Sequence, residues 1–379
     1  MKFLHLSDLH IGKRVNEFSM LEDQKYIFEQ ILDIVDVQKI EGVLIAGDIY
    51  DKSVPPVEAV RLFDDFLTRL AQYEMPIFII GGNHDSAERI SFGARLMKEK
   101  NVHIASVFDG NTEPVVLQDA YGEIAVYLLP FVKPALVRHV YPEAEIDSYD
   151  AAVKVAVTNM NVDERRRNII VAHQFVTGAV RCESEEISVG GVDQVEATAF
   201  EVFDYVALGH IHGPQQIGRK TVRYCGTPLK YSFSEATHEK SVTIVTLAEK
   251  GTINLQFVPL KPLHDMRELR GTYMQITALD YYKGTNTNDY LHITLTDEED
   301  VPDAIGKLRA IYPNIMRLDY DNMRTRSGQT IVAEKVQNEK TPMELLEEFY
   351  ALRNNQNMSD EQREYSLELL ERIAGRGNA

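Results

Sequence analysis

The chain has 379 residues, the length of about two or three structural units at roughly 150 residues each, which excludes a peptide-sized scaffold. Hydrophobic residues make up 44% and charged residues 26%, proportions of a globular protein that exclude a disordered or collagen-like chain. With 40 Lys and Arg against 58 Asp and Glu the net charge is -18, which excludes a surface that embraces nucleic acid on all sides but leaves room for local basic strips.

In chain order, Phe3–Leu6 reads as a buried strand closed by Ser7-Asp8-Leu9-His10, and Met20–Ile40 follows with helical spacing. Val43–Ala46 is a second strand ending in Gly47-Asp48. Pro56–Tyr73 is a second helix, and Ile77–Ile80 a third strand ending in Gly81-Gly82-Asn83-His84-Asp85. Ile169–Ala172 runs into His173, and Tyr205–Leu208 into Gly209-His210-Ile211-His212. Strands alternating with helices predict an α/β core. Ligands of open α/β sheets bind beyond the carboxyl ends of the strands, so the five polar clusters are expected to converge on one site.

From about Lys220 the texture changes to short alternating strands, including Ser241–Leu247 and Thr252–Val258, expected to form a second sheet that closes the core. A linker is expected around Pro259–Arg270. Residues 271–335 then read as a small βαβ-like unit with strand Tyr290–Leu295, helix Val301–Ile311 and strand Ile315–Tyr320. The tail predicts two helices. One begins at Thr341-Pro342-Met343-Glu344, a capping box with Pro at the first helical position, and the other at Ser359-Asp360-Glu361-Gln362. Their apolar stripes, Leu345, Leu346, Phe349 and Leu352 on one and Tyr365, Leu369, Leu370 and Ile373 on the other, suit packing on their own domain or docking on a partner's helix pair. Two cysteines, Cys182 and Cys225, are too few for a disulfide framework, and no stretch approaches 18 apolar residues. A soluble protein of the reducing cytoplasm is expected.

The clusters offer Asp8, His10, Asp48, Asn83, His84, Asp85, His173, His210 and His212. Any one alone is what a turn or helix cap uses. Together they hold five of the chain's 11 histidines, and that concentration points to a site. Carboxylates, an amide and imidazoles without thiolate suit Mn²⁺, Fe²⁺ or Zn²⁺. Two such ions roughly 3.5–4 Å apart need a bridging ligand, for which Asp48, on the central cluster, is the candidate. Neither cysteine lies in a motif, and Ser7 and Ser86 lack a base of their own, so no covalent nucleophile is expected.

In this order, D-x-H, G-D-x-x-D, G-N-H-D, a lone His after a strand and G-H-x-H make the chain similar to the calcineurin-like metallophosphoesterases. Ala172-His173-Gln174-Phe175, the segment from Gly226-Thr227-Pro228 to Ser232-Phe233-Ser234, and Lys240-Ser241-Val242 extend the likeness to the bacterial SbcD-type exonuclease subunits. Motifs carry the resemblance over residues 1–260; beyond them it rests on order and size. It implies an α/β fold, a two-sheet sandwich flanked by helices, with a small α+β cap domain and C-terminal helices. The implied boundaries are 1–262 for the nuclease domain, 271–335 for the cap and 336–379 for a helical docking segment. Asp8, His10, Asp48 and His212 would hold one ion, and Asp48, Asn83, His173 and His210 the other, both Mn²⁺. His84 would face the scissile phosphate, oriented by Asp85.

The resemblance further implies a homodimer that works with an SbcC-type ATPase on double-stranded DNA ends and hairpins, in repair, recombination and replication. No P-loop pattern occurs, so ATP dependence must come from another polypeptide. Lys13, Arg14, Arg89 and Arg95 flank the motifs and are candidate DNA-phosphate contacts, as are Lys133 and the Lys230-Tyr231 pair. Asp51, which closes G-D-x-x-D, is expected to cap a helix or support the ligands from behind. A stand-alone phosphodiesterase for small phosphoesters is the alternative, but it leaves the small domain and tail without a task. A scaffold that has lost catalysis would lack ligands, and none of the expected ligand types is missing.

Overall fold

Four short strands, β1 (Lys2–Leu6), β2 (Gly42–Ala46), β3 (Ile77–Ile80) and β4 (Val102–Ala105), run parallel and in that order. Their sequences are near-continuous apolar runs because both faces are buried, as parallel strands under crossover helices must be. The helices between them are α1 (Leu21–Gln38) and α2 (Val57–Ala71), whose Phe28 and Phe66 rings stack 4.4 Å apart.

A second six-stranded sheet holds β5 (Val115–Asp119), β6 (Gly122–Leu129), β7 (Arg167–His173), β8 (Tyr205–Gly209), β9 (Gln215–Ile217) and β10 (Arg219–Tyr224) in the order β9-β10-β8-β7-β6-β5. Phe3, Leu44, Phe78, Ile80 and Val245 of the first sheet are buried against Ile124, Val126, Ile169, Val171 and Ala207 of the second. The second sheet's outer face, with Tyr127, Ile170, Val206 and Leu208, packs with Val153, Ala156 and Val157 of helix α4 (Tyr149–Thr158), which follows the short α3 (Pro134–Val140). The result is a helix-flanked sandwich of two sheets.

The strands β11 (Ser241–Leu247) and β12 (Ile253–Pro259) do not form the second sheet that the sequence led us to expect. They extend the first one, β11 lying antiparallel to β1 with Lys2 opposite Thr246. Alternation marks a strand but not the edge it will pair with, and here the free edge of β1 takes it. The second sheet is built instead from β7 and β8, which the sequence analysis reads as apolar strands with polar ends, together with β5, β6, β9 and β10.

The structure, a computed structural model, describes residues 1–185, 193–323, 325, 342–354 and 356–376, which divide into two units, Met1–Met266 and Arg267–Ala379. The expected linker at 259–270 is in its second half a strand, β13 (Met266–Gly271), neighbour to β14 (Tyr290–Leu295) in a three-stranded sheet. Its alternation of buried and exposed residues is a strand's pattern, obscured in sequence by three charged side chains. β14 lies parallel to β15 (Ile315–Tyr320), and α5 (Ala304–Arg309) closes a core of Ile276, Leu291, Ile293, Leu295, Leu308 and Tyr312. Helices α6 (Pro342–Asn354) and α7 (Asp360–Arg376) follow. The expected cap at Thr341, residues 326–340, and the side chains of Leu352 and Ile373 lie outside the described residues.

Candidate metal centre

The loops after β1 and β2 run side by side: the Asp8, His10 and Ile11 N–H groups donate to the carbonyls of Gly47, Asp48 and Ile49 at 3.1, 3.0 and 2.9 Å. That ladder brings Asp8, His10 and Asp48 to one point at the carboxyl end of the first sheet. Asp8, His10, Asp48 and His210 all hold left-handed backbone, with φ of 51°, 42°, 51° and 102°. Such a conformation costs a side-chain-bearing residue on the order of 1–3 kcal/mol and persists only where the surroundings enforce it. Two glycines allow the close approach. A Cβ on Gly209 would stand 1.9 Å from the Ala46 carbonyl oxygen, and one on Gly82 2.1 Å from Asp48 Oδ1.

All seven expected ligands meet here, contributed by both sheets. Asp8, His10 and His212 present ligand atoms within 4.8 Å of one another, as do Asp8, Asp48 and His173, and also His10, Asp48 and His84. Asp48 Oδ2 lies 3.3 Å from His173 Nε2 and 3.7 Å from His10 Nε2, between the two groups. Asn83 Oδ1 stands 3.0 Å from His173 Nε2 and 2.9 Å from His210 Nδ1.

Hydrogen bonds to the outer ring nitrogens turn the other nitrogens inward. His173 Nδ1 donates to the Ala46 carbonyl at 2.8 Å, so Nε2 faces two oxygens, Asn83 Oδ1 and Asp48 Oδ2. Ser184 Oγ donates to Glu235 Oε1 at 2.6 Å and therefore accepts from His212 Nδ1 at 2.7 Å, leaving His212 Nε2 directed at His10 Nε2, 3.1 Å away. Imidazole nitrogens, carboxylates and an amide oxygen converging at these distances in a buried site form a donor set that fits divalent ions.

Burial and mutual charge set the protonation within the cage. Burial would lower the pKa of His173, but the Asp48 and Asp8 carboxylates outweigh it and push it up to about 9. Burial pushes Asp8 up to about 7, with the Asp48 charge adding to the effect. Burial also works to raise Asp48, yet the surrounding His173, His10 and His84 rings hold it well below the usual range. His210, under burial and the neighbouring His173, falls to about 3, and burial lowers His212 and His10 as well.

His84 is oriented otherwise than expected. Its Nδ1 donates to the Asp51 carbonyl at 3.0 Å and its backbone N–H to Asp48 Oδ1 at 2.9 Å, so Nε2 is the atom it offers outward. Asp85 does not orient that ring: its carboxylate accepts from the Gly82, Tyr50 and Ile49 N–H groups at 2.9, 3.0 and 3.1 Å, tying the loop after β3 to that after β2. Two carboxylate oxygens offered to three orphan N–H groups favour the backbone over an adjacent imidazole. Asp51 Oδ1 pairs with Lys13 Nζ at 2.8 Å and lies 3.7 Å from His10 Nδ1, beyond hydrogen-bonding distance.

The basic candidates fare unevenly. Lys13 is ion-paired to Asp51, and Lys230 to Asp265 at 2.8 Å. Tyr231 is buried, its hydroxyl donating to the Leu9 carbonyl, and so is removed as a DNA contact. Arg14 is exposed and donates to the Glu17 carbonyl, while Arg89, Arg95 and Lys133 are exposed. Sequence reasoning missed Ser184, Glu185 and Glu235 around His212. Glu185 Oε1 accepts the His212 N–H at 2.6 Å, and Glu235 is paired with Lys240 Nζ at 2.5 Å. Of these only the Lys240 motif carried a signal; Ser184 and Glu185 sit in a stretch with no periodicity. Phe131, stacked on His210 with ring centroids 6.2 Å apart, was missed too.

Comparison with known proteins matches residues 1–214 to the family described as calcineurin-like phosphoesterase, and residues 262–354 to SbcD_C, described as the type 5 capsule protein repressor C-terminal domain. The SbcD subunit of the SbcCD nuclease of Staphylococcus epidermidis is 32% identical over 99% of this chain and 100% of its own. Among solved structures, a dimetal phosphatase from Danio rerio is 10% identical with a TM-score of 0.41, over 69% of this chain and 98% of its own. A Thermus thermophilus protein is 11% identical with a TM-score of 0.38, over 68% and 98%.

Proposed function

Since the chain belongs to the calcineurin-like phosphoesterases, and within them to the SbcD-type nuclease subunits, we propose that it is a manganese-dependent DNA nuclease, cutting double-stranded ends as an exonuclease and hairpins and single strands as an endonuclease. The coarser statement, a phosphodiester hydrolase of the metallophosphoesterase type, follows from membership alone. The phosphoesterase chemistry is supported by the convergence of Asp8, His10, Asp48, Asn83, His173, His210 and His212 into one buried cage, and the observation that supports DNA as the substrate is the 32% identity to the SbcD nuclease subunit over 99% of the chain.

In this reading Asp8, His10, Asp48 and His212 would hold one ion, and Asp48, Asn83, His173 and His210 the other. Two divalent ions there supply Lewis acidity, lowering the pKa of a water and offsetting charge that develops on the phosphate. The chain's own work is to hold the cage. Ser184 and the Ala46 carbonyl fix the tautomers of His212 and His173. The Asp51 carbonyl fixes His84 so that Nε2 faces the phosphate and protonates or stabilises the leaving oxygen. Arg14, Arg89 and Arg95, exposed on segments beside the motif loops, contact phosphates of the DNA on either side of the cut. Lys13 joins them only if its Asp51 pair opens.

The partner is an SbcC-type ATPase. Residues 336–379 dock on it, a role supported by Leu345, Phe349 and Tyr365, which α6 and α7 leave exposed, and residues 271–335 cap the DNA. The active form is a homodimer in the cytoplasm, for which Val57 and Val60 of α2, with Phe92 and Leu96, offer exposed apolar side chains.

The test is Mn²⁺-dependent degradation of an end-labelled DNA duplex by the purified chain, with and without the ATPase partner and ATP, beside His84→Gln. Cleavage that requires Mn²⁺ and His84, and is raised or redirected by partner and ATP, is expected. Indifference to DNA with turnover of a small phosphodiester would keep the metal site and replace the nuclease by a stand-alone phosphoesterase.

A further inference from the structure

Two buried polar side chains have no part in holding ions or substrate, yet both are spent on the backbone of one short segment, residues 9–12. Gln24, on the first turn of α1, donates from Nε2 to the His10 carbonyl at 2.8 Å, and its Oε1 accepts the Gly12 N–H at 3.0 Å. Tyr231 donates from its hydroxyl to the Leu9 carbonyl at 2.7 Å and accepts from Gln24 Nε2 at 2.9 Å, its ring edge-on to His10 with centroids 5.9 Å apart. Polar groups this deeply buried are tolerated only when bonded, and here the bonds close on the strained segment that carries His10.

Their sequence neighbours hold something else. Asp23, fully buried beside Gln24, accepts the His264 N–H and Nδ1–H, both at 3.1 Å from Oδ1. Lys230, beside Tyr231, pairs with Asp265 at 2.8 Å. Further along α1, Gln30 exchanges two hydrogen bonds with the backbone of Lys261, at 2.6 and 3.1 Å. His264 and Asp265 are therefore fastened by residues one position away from those that hold the backbone around His10, Lys261 is held further along α1, and the segment leads directly into β13 and the second unit.

We propose that Gln24 and Tyr231 are positioning residues for His10, and that the His264-Asp265 strap sets them, so that tension on the strap from the second unit alters the ligand geometry of the ion held by Asp8, His10, Asp48 and His212. The proposal rests on the metal reading above. Rigid side chains on adjacent positions of one helix turn and one buried loop transmit displacement because neither can rotate without breaking several buried hydrogen bonds at once.

The experiment compares the wild-type full chain with a strap variant, His264→Ala with Asp265→Asn, and with Tyr231→Phe. It follows hydrogen exchange of residues 9–13 and Mn²⁺ binding by titration calorimetry, with circular dichroism melts as the folding control. Faster exchange in residues 9–13 and a roughly 10-fold weaker affinity for one Mn²⁺ but not the other are expected in both. Asp265→Lys alone is expected to show the same changes, and the charge swap Lys230→Asp with Asp265→Lys to restore the wild-type values, which a loss of general stability would not do. Wild-type exchange and Mn²⁺ affinity in a folded strap variant overturn the proposal; should that variant not fold, the charge swap decides against the single variant Asp265→Lys, and no rescue overturns it. A wild-type chain that takes up no Mn²⁺ overturns the metal reading instead, and the exchange comparison still decides the coupling.

Discussion

The Ser184 hydroxyl stands 2.7 Å from His212 Nδ1 and donates its own hydrogen to Glu235, so a neutral side chain fixes the His212 proton on Nδ1 and leaves Nε2 free to face the cage. Ser184→Ala removes that decision while leaving Glu185 on the His212 backbone. Affinity for one of two Mn²⁺ ions is expected to fall about 10- to 100-fold with the other unchanged, read by calorimetry. Equal loss at both sites would mean that Ser184 supports the whole loop rather than one imidazole.

His84 gives a sharper separation. Replaced by Gln, it retains a donor for the Asp51 carbonyl but no group that moves a proton at Nε2. Mn²⁺ content, measured by elemental analysis, is expected to match wild type while kcat on DNA falls roughly 100-fold or more. Metal loss as deep as in Asp48→Ala would make His84 a ligand, which its place beside His10 and Asp48 also permits.

Gly209→Ala tests how the two sheets are allowed to meet. The new Cβ would lie 1.9 Å from the Ala46 carbonyl oxygen and 2.8 Å from His173 Nδ1, so backbone on one sheet must retreat. A loss of roughly 3 kcal/mol in urea unfolding is expected, larger than core overpacking usually costs when a flexible side chain can yield. Gly122→Ala, where nothing stands within 4 Å but φ is 106°, provides the control for backbone strain without the clash.

His5 controls acid stability away from the site. Burial, with the Arg223 charge adding to it, lowers its pKa from 6.5 to about 3, so the folded state keeps the ring neutral where the unfolded chain protonates it. The stability this contributes is present above pH 6.5 and is lost as the pH falls from there towards 3, by roughly 1.4 kcal/mol per pH unit from this group. In His5→Gln the slope of unfolding free energy between pH 6 and 4 is expected to flatten by about that amount. An unchanged slope would place the acid sensitivity elsewhere.

Much of this was legible from residues alone, and the pattern of success has a physical reason. β1, β2, β3, β7 and β8 were found because their apolar runs end in chemistry, and the site assembled because chain direction puts all those ends on one side. β11 and β12 were found as strands but assigned to the wrong sheet, since pairing partners are fixed by edges that only the folded layers define. The placement of Asp85 failed for a similar reason. Adjacency to His84 in sequence suggested contact, whereas the carboxylate turns to the orphan N–H groups of Ile49 and Tyr50, 36 and 35 residues away. Ser184 and Glu235 could not have been found by spacing, because their common purpose exists only once His212 lies between them.

The placement of the ligands on two layers has a mechanical side. Asp8, His10, Asp48 and Asn83 stand on loops of the first sheet, while His173 ends β7 and His210 and His212 follow β8 of the second, so each of the two proposed ion positions draws on both. An ion in either place would act as a rivet through the sandwich. Stripping with a chelator should then loosen shear between the sheets at this end while leaving the apolar interior seam around Phe3, Phe78 and Val171 closed, and a sandwich hinged in that way would splay open from its catalytic end first.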